Sequence, residues 1–314
     1  MDDRLASLRV AEQLWPLINK KCVVWVGAGL SAGAGYPQWK DLINTLCAAC
    51  NVVPLSSVEQ SSDDLIDKAE ECKRAHLDIY HKTLADIFGI RDVQTRHALH
   101  LLMMLPFQAY VTTNFDPLLS SAGAVHDCRN VYSYPSLPAE KINGIQRSIF
   151  YIHGRARAIE GENPSGENLV LARSDFDLAY EGIVRSFLEQ LFIYHNVLFL
   201  GCSLTEPAMQ AVFQRVHEIH MQIKRTYTVS TNLPKRFMLL PTRYVLVETQ
   251  KRRDNEYESN EIKRFQAMNI DIIRYENSDA RHSEIEDILE QLCTMNGKPA
   301  TPIIKVGWEE EELQ

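Results

Sequence analysis

A five-residue apolar run, Cys22-Val23-Val24-Trp25-Val26, feeds directly into Gly27-Ala28-Gly29-Leu30-Ser31-Ala32-Gly33-Ala34-Gly35. The composition of that junction constrains the fold strongly. One or two glycines satisfy the positive φ of a tight turn, whereas here four glycines and three alanines fall within nine residues. Small residues at a strand's end let backbone N–H groups come close to an anion, as in the phosphate loops of parallel α/β sheets. The loop lacks the Gly-Lys-Ser/Thr of a Walker motif. It does contain a G-x-G-x-x-A pattern, but no acid lies between Ile43 and Val58 to hold an adenosine ribose, which disfavours a hydride-transfer enzyme.

Further apolar runs at 108–111, 149–152, 197–200, 227–230, 244–247 and 270–274 read as strands. Several are continuous rather than alternating, as expected of strands buried on both faces. Helical periodicity marks 42–50, 64–74, 80–88, 95–104, 176–192, 206–223, 261–268 and 284–293. The expected fold is therefore α/β: a doubly wound, mainly parallel Rossmann-like sheet. It occupies one domain over residues 1–300, with a helical insertion at about 42–107, where no strand pattern occurs. Segments 123–148 and 154–174 read as long loops bordering a site, and 301–314 as a solvated acidic tail. The N-terminal pattern of Leu5, Leu8, Leu14 and Leu17 either covers the sheet or forms an interface.

Charge and cysteine content narrow the function classes. The 33 Lys+Arg against 41 Asp+Glu, a net charge of −8, argue against a broad phosphate-binding surface, so sequence-specific nucleic-acid binding is not expected. Lys251-Arg252-Arg253 reads as a solvated loop. With no secretory leader pattern and no apolar run of membrane-spanning length, a cytoplasmic protein is expected. Seven cysteines without regular spacing fit reduced thiols there.

Four ordered segments resemble the sirtuin superfamily. Gly27-Ala28-Gly29-Leu30-Ser31 with Gly35-Tyr36-Pro37-Gln38-Trp39-Lys40 is similar to its Gly-Ala-Gly-Ile-Ser … Gly-Ile-Pro-Asp-Phe-Arg loop. Thr112-Thr113-Asn114-Phe115-Asp116 resembles Thr-Gln-Asn-Ile-Asp, Ile152-His153-Gly154 the catalytic His-Gly, and Gly201-Cys202-Ser203 the Gly-Thr-Ser that holds NAD. More loosely, Val229-Ser230-Thr231-Asn232 is similar to the later strand end whose Asn contacts the adenosine ribose. The matches span about two thirds of the chain. Protein-deacylating sirtuins carry two Cys-x-x-Cys pairs after the His-Gly; here no cysteine lies between Cys128 and Cys202, so no zinc ribbon and no metal are expected. The Gly-Tyr-Pro-x-Trp form resembles the zinc-free branch of prokaryotic antiphage defence, whose members hydrolyse NAD+. That branch usually has Asp where Glu206 stands.

What the resemblance implies for the site is specific. NAD+ is the substrate. Asn114 and His153 are the catalytic pair, and Gly27, Ala28, Gly29, Ser31, Trp39, Asp116, Gly201, Ser203 and Asn232 hold the dinucleotide. Elementary chemistry leaves alternatives beside several of these. Either Asn114 or Asp116 can cap the helix expected near Pro117, leaving the other for chemistry. His153, with an ordinary pKa of about 6.5, suits a general base near neutral pH. Trp39 either shields a cationic centre or anchors the insertion's first helix. Arg155 and Arg173 are candidate phosphate or lid residues. His97/His100 and His217/His220 are helical i,i+3 pairs without an acidic partner at metal-binding spacing.

The expected activity is NAD+ glycohydrolysis to nicotinamide and ADP-ribose, serving antiphage defence by NAD+ depletion. The rival expectations are an NAD-dependent deacylase, or a non-hydrolytic NAD or ADP-ribose binding module, which would need no Asn114/His153 pair. Restraint of such a hydrolase implies a homo-oligomer or a partner such as a defence ATPase.

Overall fold

The computed structural model describes residues 3–31, 34–56, 61–89, 95–138, 140–141, 147–156, 166–226, 233–247, 250–277 and 283–298. Seven strands build one sheet: β1 (Cys22–Val26), β2 (Ala109–Thr112), β3 (Asn130–Ser133), β4 (Ser148–Tyr151), β5 (Asn196–Leu200), β6 (Arg236–Pro241) and β9 (Ile270–Tyr275). Two more, β7 (Tyr244–Val247) and β8 (Gln250–Arg253), form a separate antiparallel hairpin. The spatial order is β3-β4-β2-β1-β5-β6-β9, and each neighbouring pair is parallel. From β1 the chain fills one side of the sheet, then crosses back to add β5 on the other. The order therefore reverses between β1 and β5, which opens a crevice at their carboxyl ends.

Strand alternation explains why the apolar runs are continuous. Val24, Val26, Tyr110, Ile149, Leu198 and Leu200 face one layer, containing α1 (Asp3–Ile18), α6 (His97–Met104), α7 (Leu118–Val125) and α12 (Ser283–Met295). Val23, Trp25, Val111, Phe150, Val197 and Phe199 face the opposite layer, of α8 (Arg173–Glu181), α9 (Ile183–Tyr194), α10 (Pro207–Thr226) and α11 (Asn255–Ala267). With both faces covered, every second residue has to be apolar on each side. α1 covers the sheet through Val10, Leu14 and Ile18, while Leu5 stays exposed.

After the one-turn α2 (Ala28–Ser31), three helices form a cap between β1 and β2: α3 (Trp39–Ala49), α4 (Ser62–Ala75) and α5 (Leu77–Phe88). They share a core of Leu42, Leu46, Cys47, Cys72, Tyr80 and Leu84. Polar contacts latch this cap to α8. Arg173 pairs with Asp63 at 2.6 Å and Asp67 at 2.7 Å, and the Glu70 carboxylate accepts from the Ser174 N–H and hydroxyl. Asp64 and Asp175 serve as helix starts, with Asp64 completing a capping box with Ser61.

The structure departs from the sequence expectations in several places. Residues 123–148 hold the end of α7 and the edge strand β3, whose Asn130-Val131-Tyr132-Ser133 gives little apolar signal. Strand β6 was not expected, because it opens on an arginine and closes on a proline; 227–230 lies outside the described residues. The helix expected over 176–192 is broken into two at Gly182, whose φ of −120° and ψ of −123° stop α8. The 244–247 run is a strand, but it belongs to the hairpin rather than the main sheet. Residues 301–314 lie outside the described residues. No described helix is long and apolar enough to cross a membrane.

Arg236 explains how a strand can hide behind a charge. It is 1% exposed and lies 5.6 Å and 5.7 Å from the Phe192 and Phe213 ring centroids. Among the described residues neither Nη atom has a hydrogen-bond partner, and burial pushes its pKa down to about 10. An unpaired buried cation costs stability. Arg236→Met is therefore expected to raise the thermal unfolding midpoint by a few degrees. A scanning-calorimetry midpoint several degrees lower would contradict that reading.

Candidate functional site

At the β1/β5 crevice a cavity of about 320 Å³ falls in the size range of small-molecule sites. Its floor is the glycine loop. The Gly27 N–H donates to the Leu200 carbonyl at 2.8 Å and the Gly29 N–H to the Gly201 carbonyl at 3.0 Å, extending the strand pairing into the loops. A Cβ on Gly27 would fall on the Gly201 carbonyl oxygen and 2.8 Å from the Cys202 Cα. Gly201 itself has φ +65°. These glycines thus let two loops touch, and two of the N–H groups expected to face an anion are already committed to the protein. Ala28 and Gly29 are exposed on the cavity wall. Ala32 and Gly33 lie outside the described residues.

The turn after β2 is fixed by Thr112, whose hydroxyl donates to the Val26 carbonyl at 2.8 Å and accepts the Asn114 N–H at 3.0 Å. That leaves the Asn114 side chain in the cavity, where its Nδ2 donates to Ser31 Oγ at 3.0 Å. Asp116 satisfies the helix start from one residue before the Pro117 N-cap: its Oδ1 accepts the Leu118 N–H at 3.1 Å. The two side chains expected to compete for that cap are thereby separated, and Asn114 is the one left over. Burial raises the Asp116 pKa, while hydrogen bonds from the Leu118 N–H and the Ser31 hydroxyl oppose the rise. Ser31 thus sits between the amide and the carboxyl group. Tyr36, stacked on Phe88 at 5.8 Å, is pushed up to about 12 by burial and by the Asp116 charge.

His153 follows β4 and lines the same cavity. Its Nε2 is 2.8 Å from the Tyr180 hydroxyl, and its ring meets Phe176 edge-on at 5.3 Å between centroids. The pKa is correspondingly far from the expected 6.5: burial pushes it down to about 3, so the ring is neutral at physiological pH. A weakly basic imidazole is suited to orienting and shielding rather than to taking a proton. Gly154 is required beside it, since at φ +89° a Cβ would fall on the Asn168 carbonyl oxygen.

Trp39 anchors the first helix of the insertion. It opens α3, lines the cavity and packs against the cap core and the sheet core. Gly201 and Ser203 also line the cavity, and Ser203 Oγ lies 3.2 Å from Thr205 Oγ1. Asn232 lies outside the described residues. Arg155 and Arg173 are engaged elsewhere: Arg155 donates to Ser120 Oγ at 2.9 Å, and Arg173 latches the cap. Neither lines the cavity. Glu206, Cys202 and Phe176 do; of these only Cys202 falls within a motif matched to NAD binding, and none is among the expected site residues. Phe176 read as a helical core position and Glu206 as a helix start. Among the described residues no group of three His, Cys, Asp or Glu is placed to hold a metal ion.

A family model described as a SIR2-like domain matches residues 108–273. The NAD(+) hydrolase ThsA of Enterococcus faecium is 23% identical over 311 residues, covering 93% of this chain and 58% of that protein. ThsA of Bacillus cereus (strain MSX-D12) is 21% identical over 292 residues, covering 88% and 54%. The chain thus spans little more than half the length of these curated relatives. The solved structure of Sir2Tm bound to a propionylated peptide overlays with a TM-score of 0.43 at 14% identity, over 91% of this chain and 98% of that one.

Proposed function

The chain belongs to the SIR2-like domain family, and from that premise we propose that it is an NAD+ glycohydrolase releasing nicotinamide and ADP-ribose. The observation that carries the reading is a single cavity at the sheet's switch point. It joins the glycine loop, the Asn114 amide and the His153 ring. Relatives named NAD(+) hydrolase support it.

The scissile bond joins the anomeric carbon of ribose to a pyridinium nitrogen. Nicotinamide leaves neutral with the bonding electron pair, so the leaving group needs no proton donor. The ribosyl centre becomes oxocarbenium-like, as in glycoside hydrolysis. The protein's tasks are to orient the ribose, shield the cation and admit one water. In this reading Asn114 holds the ribose hydroxyls or the attacking water, steered by Ser31. Asp116, buried beside Ser31, faces the carboxamide. Neutral His153, held by Tyr180, packs beside the ribose without adding a competing positive charge. Trp39 and Phe176 line the apolar end. Ala28, Gly29, Gly201 and Ser203 flank the pyrophosphate.

The biological extension is antiphage defence by NAD+ depletion, with restraint supplied by a homo-oligomer or a regulatory partner. It rests on the resemblance to the zinc-free branch. The biochemical test is direct. Purified protein incubated with NAD+ is expected to release nicotinamide and ADP-ribose in equal amounts by chromatography, without an acyl-lysine peptide. Nicotinamide release that appears only with such a peptide, together with an acylated ADP-ribose, would instead identify a deacylase.

A further inference from the structure

Hydrolysis needs a group to take the proton of the attacking water, and neither member of the Asn114/His153 pair is suited to that. The amide is not basic, and the imidazole is buried against Phe176 with its Nε2 on Tyr180. Among the described residues the cavity is lined by just two carboxylates, Asp116 and Glu206. Asp116 is committed to the Leu118 N–H and to Ser31. Glu206 stands immediately before α10, at the end of the loop that follows β5. The backbone N–H groups of Thr205 and of Glu206 itself act on its carboxylate.

We propose that Glu206 is a further catalytic residue, the carboxylate that accepts the proton of the water attacking the anomeric carbon. The assignment rests on the hydrolase reading. In the step, the ribosyl C–N bond breaks with its electron pair passing to nicotinamide. The water oxygen bonds to the anomeric carbon, and one water proton passes to the Glu206 carboxylate. The carboxylate also places negative charge beside the developing cation. The groups that face it fit this use. Partly buried Cys202 and buried Tyr180 both feel its charge, and the Tyr180 hydroxyl is the partner of His153 Nε2. Arg264 of α11 is the cation acting on it. Burial raises its pKa, opposed by the two backbone N–H groups and by Arg264, and a carboxylate of raised pKa is the stronger base.

Glu206 must be ionised to act, so the rate falls as pH drops through its raised pKa. Glu206→Gln is expected to lower kcat by about 10²-fold with NAD+ affinity within about threefold of wild type, and to lose that acid limb. Glu206→Asp, which keeps the carboxylate, is expected to retain part of the activity and the limb. In Glu206→Ala, azide is expected to restore nicotinamide release and yield ADP-ribosyl azide, since azide attacks without a proton to lose. Turnover of Glu206→Gln within about threefold of wild type on an unchanged pH profile would overturn the assignment. So would a loss of turnover that tracks NAD+ affinity or thermal stability in both the Gln and Asp variants. A wild-type protein that binds NAD+ but releases no nicotinamide overturns the hydrolase reading itself, a result distinct from either.

Discussion

Asn114→Ala is expected to reduce nicotinamide release from NAD+ by about 10³-fold while leaving the thermal unfolding midpoint close to wild type. The size follows from the loss of a positioned polar group that acts on the reacting centre, for which losses of about 10²–10³ are usual. It is placed at the upper end because the proposed role puts this side chain directly at the reacting ribosyl centre. The small stability effect follows from the division of labour at the β2–α7 turn. Asp116, not Asn114, satisfies the Leu118 N–H. The Asn114 amide gives up one hydrogen bond, to a serine that retains Asp116 as partner. Steady-state kinetics and calorimetry on one preparation check both halves. An unfolding midpoint that falls with the activity would return Asn114 to a structural role.

Gly27→Ala is expected to do the opposite, removing stability and NAD+ binding together. The added methyl has no room: it would meet the Gly201 carbonyl carbon at 2.7 Å and the Cys202 Cα at 2.8 Å, both backbone. To relieve the overlap, β1 and β5 have to part at their carboxyl ends, at the expense of the Gly27 N–H bond to Leu200. Overpacking of this kind costs about 1–3 kcal/mol or more, and it falls where the dinucleotide is proposed to cross. Gly35→Ala is the control. Gly35 has φ +94° but nothing within 4 Å of the added atom, so only the left-handed backbone opposes alanine, at about 1–2 kcal/mol. Denaturant unfolding and NAD+ titration of the two variants are expected to separate. Equal effects would mean that the loop contact with Gly201 is not what Gly27 provides.

Local signals explain how much of this was legible in the sequence. Strands β1 and β5 are continuous apolar runs ending in glycine, and both their extent and the turn beyond them could be read directly. The motifs after β1, β2, β4 and β5 were legible for the same reason, since each of these four follows a strand's carboxyl end. Strand β6 was hidden because its buried Arg236 looks like a surface residue until the two phenylalanine rings from α9 and α10 are brought to it. The break at Gly182 was hidden because the apolar periodicity of 176–192 runs through it. At the site, the chemistry most altered by folding was the least readable. His153 gives no hint that Phe176 and Tyr180, more than twenty residues away, will remove it from the titrating range. Glu206 reads as an ordinary helix start until the cavity closes round it. The capping ambiguity between Asn114 and Asp116 was intrinsic to the sequence, and only the position of Leu118 resolves it.

In a crystal structure with the non-hydrolysable carbocyclic analogue of NAD+, the pyrophosphate is expected across the Gly27–Ser31 and Gly201–Ser203 loops, with the nicotinamide-bearing ring lying between the Asn114 amide and the His153 ring. An analogue bound away from the β1/β5 crevice, or bound there with that ring turned from both side chains, would contradict the proposed site.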